Sequence, residues 1–155
     1  MLGRTNESHA NRVDEDAVLS KLPGEGFRQG ESGGRIINVV NFISKQPFAK
    51  SMPTSVSPAA GLAMTKALSR ELAQDGILVN AVCMGFVRAA QHEATARRRG
   101  VTSETIYEEL AHSIPLGRVG QTNEAASVIA FLASSMASYV TGTSLNVDGG
   151  ICAVL

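Results

Sequence analysis

Residues 34–41 read GRIINVVN. The apolar run inside this stretch is bounded by Gly33 and Gly34 on one side and by a polar segment on the other. A run of that length, apolar at successive rather than alternate positions, reads as a strand buried on both faces, as in parallel sheets. The predicted strand is Arg35–Val40.

Working outward, the next segment, SPAAGLAMTKALSRELAQDG (57–76), carries helix punctuation at both ends. Ser57 is placed to cap the start, Pro58 suits a first turn, and Gly76 stands where a left-handed terminator is expected. Ala60, Met64, Leu68 and Leu72 recur every four residues and form an apolar face, while Ala59, Ala63 and Ala67 make an adjoining stripe of small residues suited to a helix–helix contact. ILVNAVCM (77–84) supplies a second apolar run, with a strand expected over Leu78–Val82. The charged stretch from Ala89 to Ser113 reads as irregular helix, a candidate lid. Thr122 is placed to cap a third helix whose Val128, Ile129 and Leu132 form the apolar face, and SLNVDGG (144–150) gives a strand over Ser144–Val147 ending in a turn. Strands alternating with helices imply an α/β fold, β-α-β-α-β, with a parallel three-stranded sheet and helices on its faces.

The first 33 residues differ from the rest: nine are apolar, about 27%, against 44% for the whole chain. They read as a polar, turn-rich leader with one helical stretch at Val13–Leu22, capped by Asn11 or Asp14, so the domain is expected over 34–155. Gly24, Gly26 and Gly30 lie in that leader with no strand before them and read as loop.

Totals narrow the function classes. Fourteen Lys and Arg balance fourteen Asp and Glu, and the basic run Arg97–Arg99 reads as a solvated face, so no nucleic-acid partner is expected. No apolar run approaches a membrane span, and Met1–Lys21 is too polar for a signal-peptide core. Cys83 and Cys152 lack a CxxC spacing and a histidine neighbour, which suits reduced thiols in the cytoplasm and no metal site; the Asn6-Glu7-Ser8 sequon is then idle. His9 and His112 have no second ligand at helical or hairpin spacing. His92 and Glu93, at a polar helix start after the second strand, are candidate proton donors. Cys83 reads as a small core residue, and Asp148-Gly149-Gly150 as turn chemistry.

Five pieces in order, GRIINVVN (34–41), TKALSRELAQDGILVNAV (65–82), MGFVRA (84–89), IPLGRVG (114–120) and FLASSMASYVTGTSLNVDGG (131–150), resemble the later half of the short-chain dehydrogenase/reductase family. The resemblance implies a partial Rossmann-like, doubly wound sheet and a family chemistry of hydride transfer between NAD or NADP and a carbonyl or alcohol carbon. The family's earlier half carries a TGxxxGxG loop whose backbone amides approach the cofactor diphosphate. That motif is absent from these 155 residues.

The resemblance also assigns the catalytic positions. Anchored on TKALSREL, the family's Ser, Tyr and Lys fall at Asn41, Thr54 and Pro58. The phenol gives or takes the substrate proton because a nearby ammonium favours its ionised form. Thr54 is too weak an acid and too short for that task, and Pro58 brings no charge. Asn41 retains an amide that can orient a carbonyl, or simply bonds the end of its strand. In MGFVRA the family's PGxxxT has Met84 for Pro and Ala89 for Thr, leaving Gly85, Val87 and Ala89 as the remnant of the nicotinamide-side segment.

The expectation is therefore a reductase relative that is inactive or weakly active by itself, with binding of NAD or NADP doubtful. The alternatives are a non-catalytic oligomerisation module and a split-enzyme half that pairs with a complete relative or a separate nucleotide-binding half. An unpaired edge on the first strand invites association, so a homo-oligomer or hetero-oligomer is expected.

Overall fold

A computed structural model describes residues 33–154. The helix expected at Val13–Leu22 and the loop at Gly24–Gly30 lie outside the described residues. Three parallel strands, β1 (Arg35–Asn41), β2 (Leu78–Met84) and β3 (Ser144–Val147), form one sheet in the order β1-β2-β3. β1 and β2 pair over their whole length, from Arg35 opposite Leu78 to Asn41 opposite Met84. β3 joins the upper part of β2, from Ala81 opposite Ser144 to Met84 opposite Val147. All three strands fall where the sequence puts them, and two run one or two residues further.

The helices divide the faces of β2 between them. Val79 and Val82, three residues apart in a strand, point to opposite sides. On one side Leu68 and Leu72, from α1 (Val56–Glu71) and its end, pack with Ile77, Val79 and Ile36. On the other, Val128, Ile129 and Leu132 of α4 (Thr122–Ala133) pack with Val82, Ile37, Leu145 and Val147. Val79, Val82 and Leu132 are fully buried, each contributing roughly 1.5–3 kcal/mol of apolar transfer. Ala59, Ala63 and Ala67 are exposed on α1, and so is Ala60, which the four-residue repeat assigned to the packed face.

Helix punctuation departs from the sequence reading in four places. α1 begins at Val56 and its cap is Ser55, without a side-chain bond, so Ser57 lies inside the helix. The preceding turn explains this: Ser55 N–H donates to Ser51 O at 2.9 Å and Val56 N–H to Pro53 O at 3.0 Å, so the first amides are satisfied before Ser57 is reached. Gly76, at φ +69°, closes a short 3-10 turn, Ala73–Asp75, rather than α1 itself. The stretch expected as one irregular helix is two, α2 (Ala90–Arg99) and α3 (Ser103–Ala111), divided at Gly100 with φ +68°. α4 is capped by Gln121 instead of Thr122: Glu124 reaches back to accept the Gln121 N–H at 2.7 Å, while the Thr122 hydroxyl donates to Arg88 O at 3.2 Å.

Two buried polar groups tie the layers. Thr65 on α1 donates to Gly61 O at 2.8 Å and accepts from the Asn38 amide at 2.9 Å, joining α1 to β1. Asn80, 1% exposed, donates to Val140 O at 2.8 Å and accepts from Thr143 N–H at 3.2 Å, fixing the chain that enters β3. Among the described residues no helix is long and apolar enough to cross a membrane.

Candidate functional site

The C-terminal ends of β1 and β2 lie side by side and deliver the chain to two short connections. After β1, Asn41 is exposed and its side-chain oxygen accepts the Ile43 N–H at 3.1 Å, capping the 3-10 turn Phe42–Ser44. That is the strand-end role the residue type allows. A Cβ on Gly61 would lie 3.2 Å from Val40 Cγ1, so the first turns of α1 press against this end of β1. Thr54 is exposed in the turn before α1, and Pro58 is half-buried in the first turn.

Neither phenol of the chain stands in for Thr54: Tyr139 is fully exposed near β3, and Tyr107 is 6% exposed on α3. Of the three described lysines, Lys50 is exposed in the segment before α1 and the other two are bonded elsewhere. Lys45 Nζ donates to Ser144 O at 2.9 Å and Asn146 Oδ1 at 2.8 Å, and Lys66 Nζ to Gly142 O at 2.7 Å.

After β2, Gly85 donates its N–H to Val147 O at 2.9 Å. Gly120 then holds the segment: its N–H donates to Phe86 O at 2.9 Å and its O accepts from Arg88 N at 3.0 Å, bridging Val87. Ala89 opens α2 in an extended conformation and offers no side-chain cap. The course of the remnant segment is thus fixed by its own neighbours. Beside it opens a cleft of about 600 Å³, whose lining includes Phe86, Val87, Leu116, Gln121, Val128 and Asp148.

A row of aromatic rings, not foreseen from the sequence, connects the two connections. Phe42 and Phe86 meet edge to face at 5.8 Å, Phe86 and His92 at 6.4 Å, and His92 and Tyr107 at 5.8 Å. Arg88 stands over the Tyr107 ring at 4.4 Å and grips Glu104 through two bonds of 2.7 Å. Burial in this row lowers the His92 pKa from its ordinary 6.5. The rings around His92 therefore disfavour its imidazolium form, while Glu93 is exposed. No signal of spacing links these rings, because they come from four separate segments.

The end of β3 is held by Asp148, which accepts from Gly150 N at 2.9 Å and Cys152 N at 3.0 Å. This is the turn role expected of Asp-Gly-Gly. Cys83 is wholly buried, as its place in an apolar run suggests.

A dinucleotide fits poorly to these groups. Among the described residues, neither connection from a strand to a following helix presents a glycine-rich turn, and the positions that the family resemblance assigns to the phenol and ammonium hold Thr54 and Pro58. Among the same residues no cluster of three His, Cys, Asp or Glu side chains could hold a metal.

Comparison with known proteins adds the following. Residues 24–152 match the family described as enoyl-(acyl carrier protein) reductase. The NADPH-dependent reductase BacG of Bacillus subtilis is 36% identical over 121 residues, covering 76% of this chain and 47% of that protein. The 3-oxoacyl-[acyl-carrier-protein] reductase FabG of Aquifex aeolicus is 38% identical, covering 76% and 45%. The crystal structure of YwfH, an NADPH-dependent reductase involved in bacilysin biosynthesis, superposes with a TM-score of 0.75 at 34% identity, over 91% of this chain and 54% of that one. The chain spans about half the length of the curated relatives it matches.

Proposed function

The chain belongs to the short-chain dehydrogenase/reductase family, and we propose that it is the catalytic-helix half of a reductase of that type, unable by itself to run the family's hydride transfer. The family reaction moves a hydride between the nicotinamide of NAD or NADP and a carbonyl or alcohol carbon. One feature supports the reading: the positions that the family resemblance assigns to the phenol and ammonium hold Thr54 and Pro58, while Tyr107 is buried on α3, Tyr139 lies near β3, and Lys45 and Lys66 are bonded elsewhere. Asn41 can still orient a carbonyl oxygen, but an alkoxide formed there has no proton donor of suitable acidity.

A second reading, a half that completes itself with another polypeptide, is favoured by β1. Among the described residues β1 has no outer neighbour, and Val39 on it is 57% exposed. An open strand edge offers unpaired amides and carbonyls to another strand. The proposed partner is either a nucleotide-binding half or a second family member, with a homo-oligomer as the simplest version. Two buried free cysteines suit a reducing compartment, and the cytoplasm is the proposed location.

The test is a calorimetric titration of the chain with NADH and with NADPH, alone and mixed with a nucleotide-binding half from a relative such as BacG. No heat with the chain alone and binding with the mixture supports the paired reading. Micromolar binding by the chain alone overturns the proposal of an incapable half. Gel filtration of the same samples reports the assembly.

A further inference from the structure

The outer edge of β1 is complementary to itself. Leu78 N–H donates to Gly34 O at 2.9 Å, and the register with β2 runs on from there without a break. In a parallel ladder successive residues turn their main-chain groups to opposite sides. Gly34, Ile36, Asn38 and Val40 therefore face β2, while Arg35, Ile37, Val39 and Asn41 turn their N–H and C=O groups outward. Among the described residues no strand takes them.

The side chains of the outward residues share one face of the strand. Ile37 packs with α4, Val39 is 57% exposed and Asn41 is exposed. Arg35 Nη1 donates to Gly34 O at 3.0 Å, and the buried Nε has no hydrogen-bond partner. The Asn41 oxygen, which accepts the Ile43 N–H, has a second lone pair to offer. The edge thus carries a guanidinium at its start, a carboxamide at its end and two apolar side chains between. Turned end for end, it sets acceptor against donor and apolar against apolar.

We propose that this edge pairs with a second copy of itself, antiparallel about a two-fold axis, with Arg35 opposite Asn41 and Ile37 opposite Val39 of the other copy. The proposal rests on the reading of β1 as the docking edge. This register uses every outward residue of both copies. A shift of two residues sets Arg35 beside Val39 or past the strand end, without the amide. The two Arg35 side chains lie at opposite ends of the pair, about 20 Å apart. α1 touches both β1 and β2, at Asn38 and Val79, so its axis and that of its copy lie about 10 Å apart, the separation at which helices pack. The pairing closes the edge that a nucleotide-binding half would take and engages the Asn41 amide. The paired form is a resting one, which such a half must open.

The experiment starts with sedimentation of the full chain at micromolar concentration, beside Val39→Lys. That variant puts a charge on the exposed face and leaves the bonds to β2 intact. The wild type is expected to be a dimer, and Val39→Lys to raise its dissociation constant about tenfold or more. The register is read by oxidative cross-linking, since Cα atoms of an opposed pair lie about 5.5 Å apart, within reach of a disulfide. Arg35→Cys mixed with Asn41→Cys is expected to give a cross-linked dimer, and either variant alone none. A dimer that Val39→Lys leaves unchanged, or one that Val39→Cys alone cross-links in place of that mixture, overturns the proposal. A monomeric wild type overturns it too. If that monomer still takes the nucleotide-binding half of BacG, and Val39→Lys blocks the uptake, the docking edge stands and only self-pairing fails. If it takes no half, both fail.

Discussion

A methyl group on Gly85 would sit 2.5 Å from Asp148 Cα and 2.6 Å from its Cβ, so β2 and the end of β3 meet backbone to backbone there. Contacts that short involve main chain and cannot be relieved by a rotamer change. Gly85→Ala is expected to cost about 3 kcal/mol in a urea unfolding experiment, with an unchanged m value. A loss under about 0.5 kcal/mol would mean that the two segments are further apart.

Thr65→Val removes the hydroxyl that Asn38 uses and keeps the shape of the side chain. The Asn38 amide then loses its acceptor at the α1–β1 interface. The expected destabilisation is about 1–3 kcal/mol, and Asn38→Leu combined with Thr65→Val should recover part of it.

Glu124 binds both Arg118 and the Gln121 N–H, and Arg118 first and then that amide lower its pKa from 4.5 to about 2. A depressed acid contributes stability that is complete above its unfolded pKa and is lost as pH falls towards the folded one. The melting temperature of Glu124→Gln should therefore lie below that of the wild type by a constant amount above pH 4.5, the gap closing between pH 4.5 and about 2. A gap that persists at the acid end contradicts the assignment.

His92 titrates below its ordinary 6.5 because burial disfavours the imidazolium. The native state takes up the proton less readily than the unfolded chain, so stability falls as pH drops below 6.5. An NMR titration should place the His92 midpoint below that of a histidine peptide, and His92→Phe should weaken the acid-side loss of stability.

Restoring the family residues together, Asn41→Ser, Thr54→Tyr and Pro58→Lys, is expected to yield no carbonyl reduction by the chain alone. The same variant mixed with a nucleotide-binding half should gain activity if that half is what is wanting. Rates of NADPH oxidation with a 3-oxoacyl thioester distinguish the outcomes.

Strand positions were legible because each rests on a local apolar run: Arg35–Val40, Leu78–Val82 and Ser144–Val147 all lie inside the strands found. Family membership rested on IPLGRVG and the run to VDGG, which keep their order and spacing. Helix starts were misplaced by one or two residues because caps depend on what the rest of the chain offers. Ser57 lost that role to a turn that had already satisfied the first amides, and Thr122 lost it because Arg88 O, 34 positions away, takes its hydroxyl. The Phe42–Phe86–His92–Tyr107 row was invisible for the same reason: long-range packing, with no period to betray it. Asn41, Thr54 and Pro58 were assigned through the spacing of the family motif, and of the three the structure shows a local role for Asn41, which caps the turn Phe42–Ser44.

The Asn80 amide answers both the oxygen of Val140 and the nitrogen of Thr143. It thereby acts as an alignment key: were the last strand to slide one residue either way, two dry dipoles would go unanswered and every side chain on that strand would change sides. Sequences that drift freely elsewhere on this molecule are therefore expected to keep an amide here, and a chain given leucine instead should settle into several coexisting alignments.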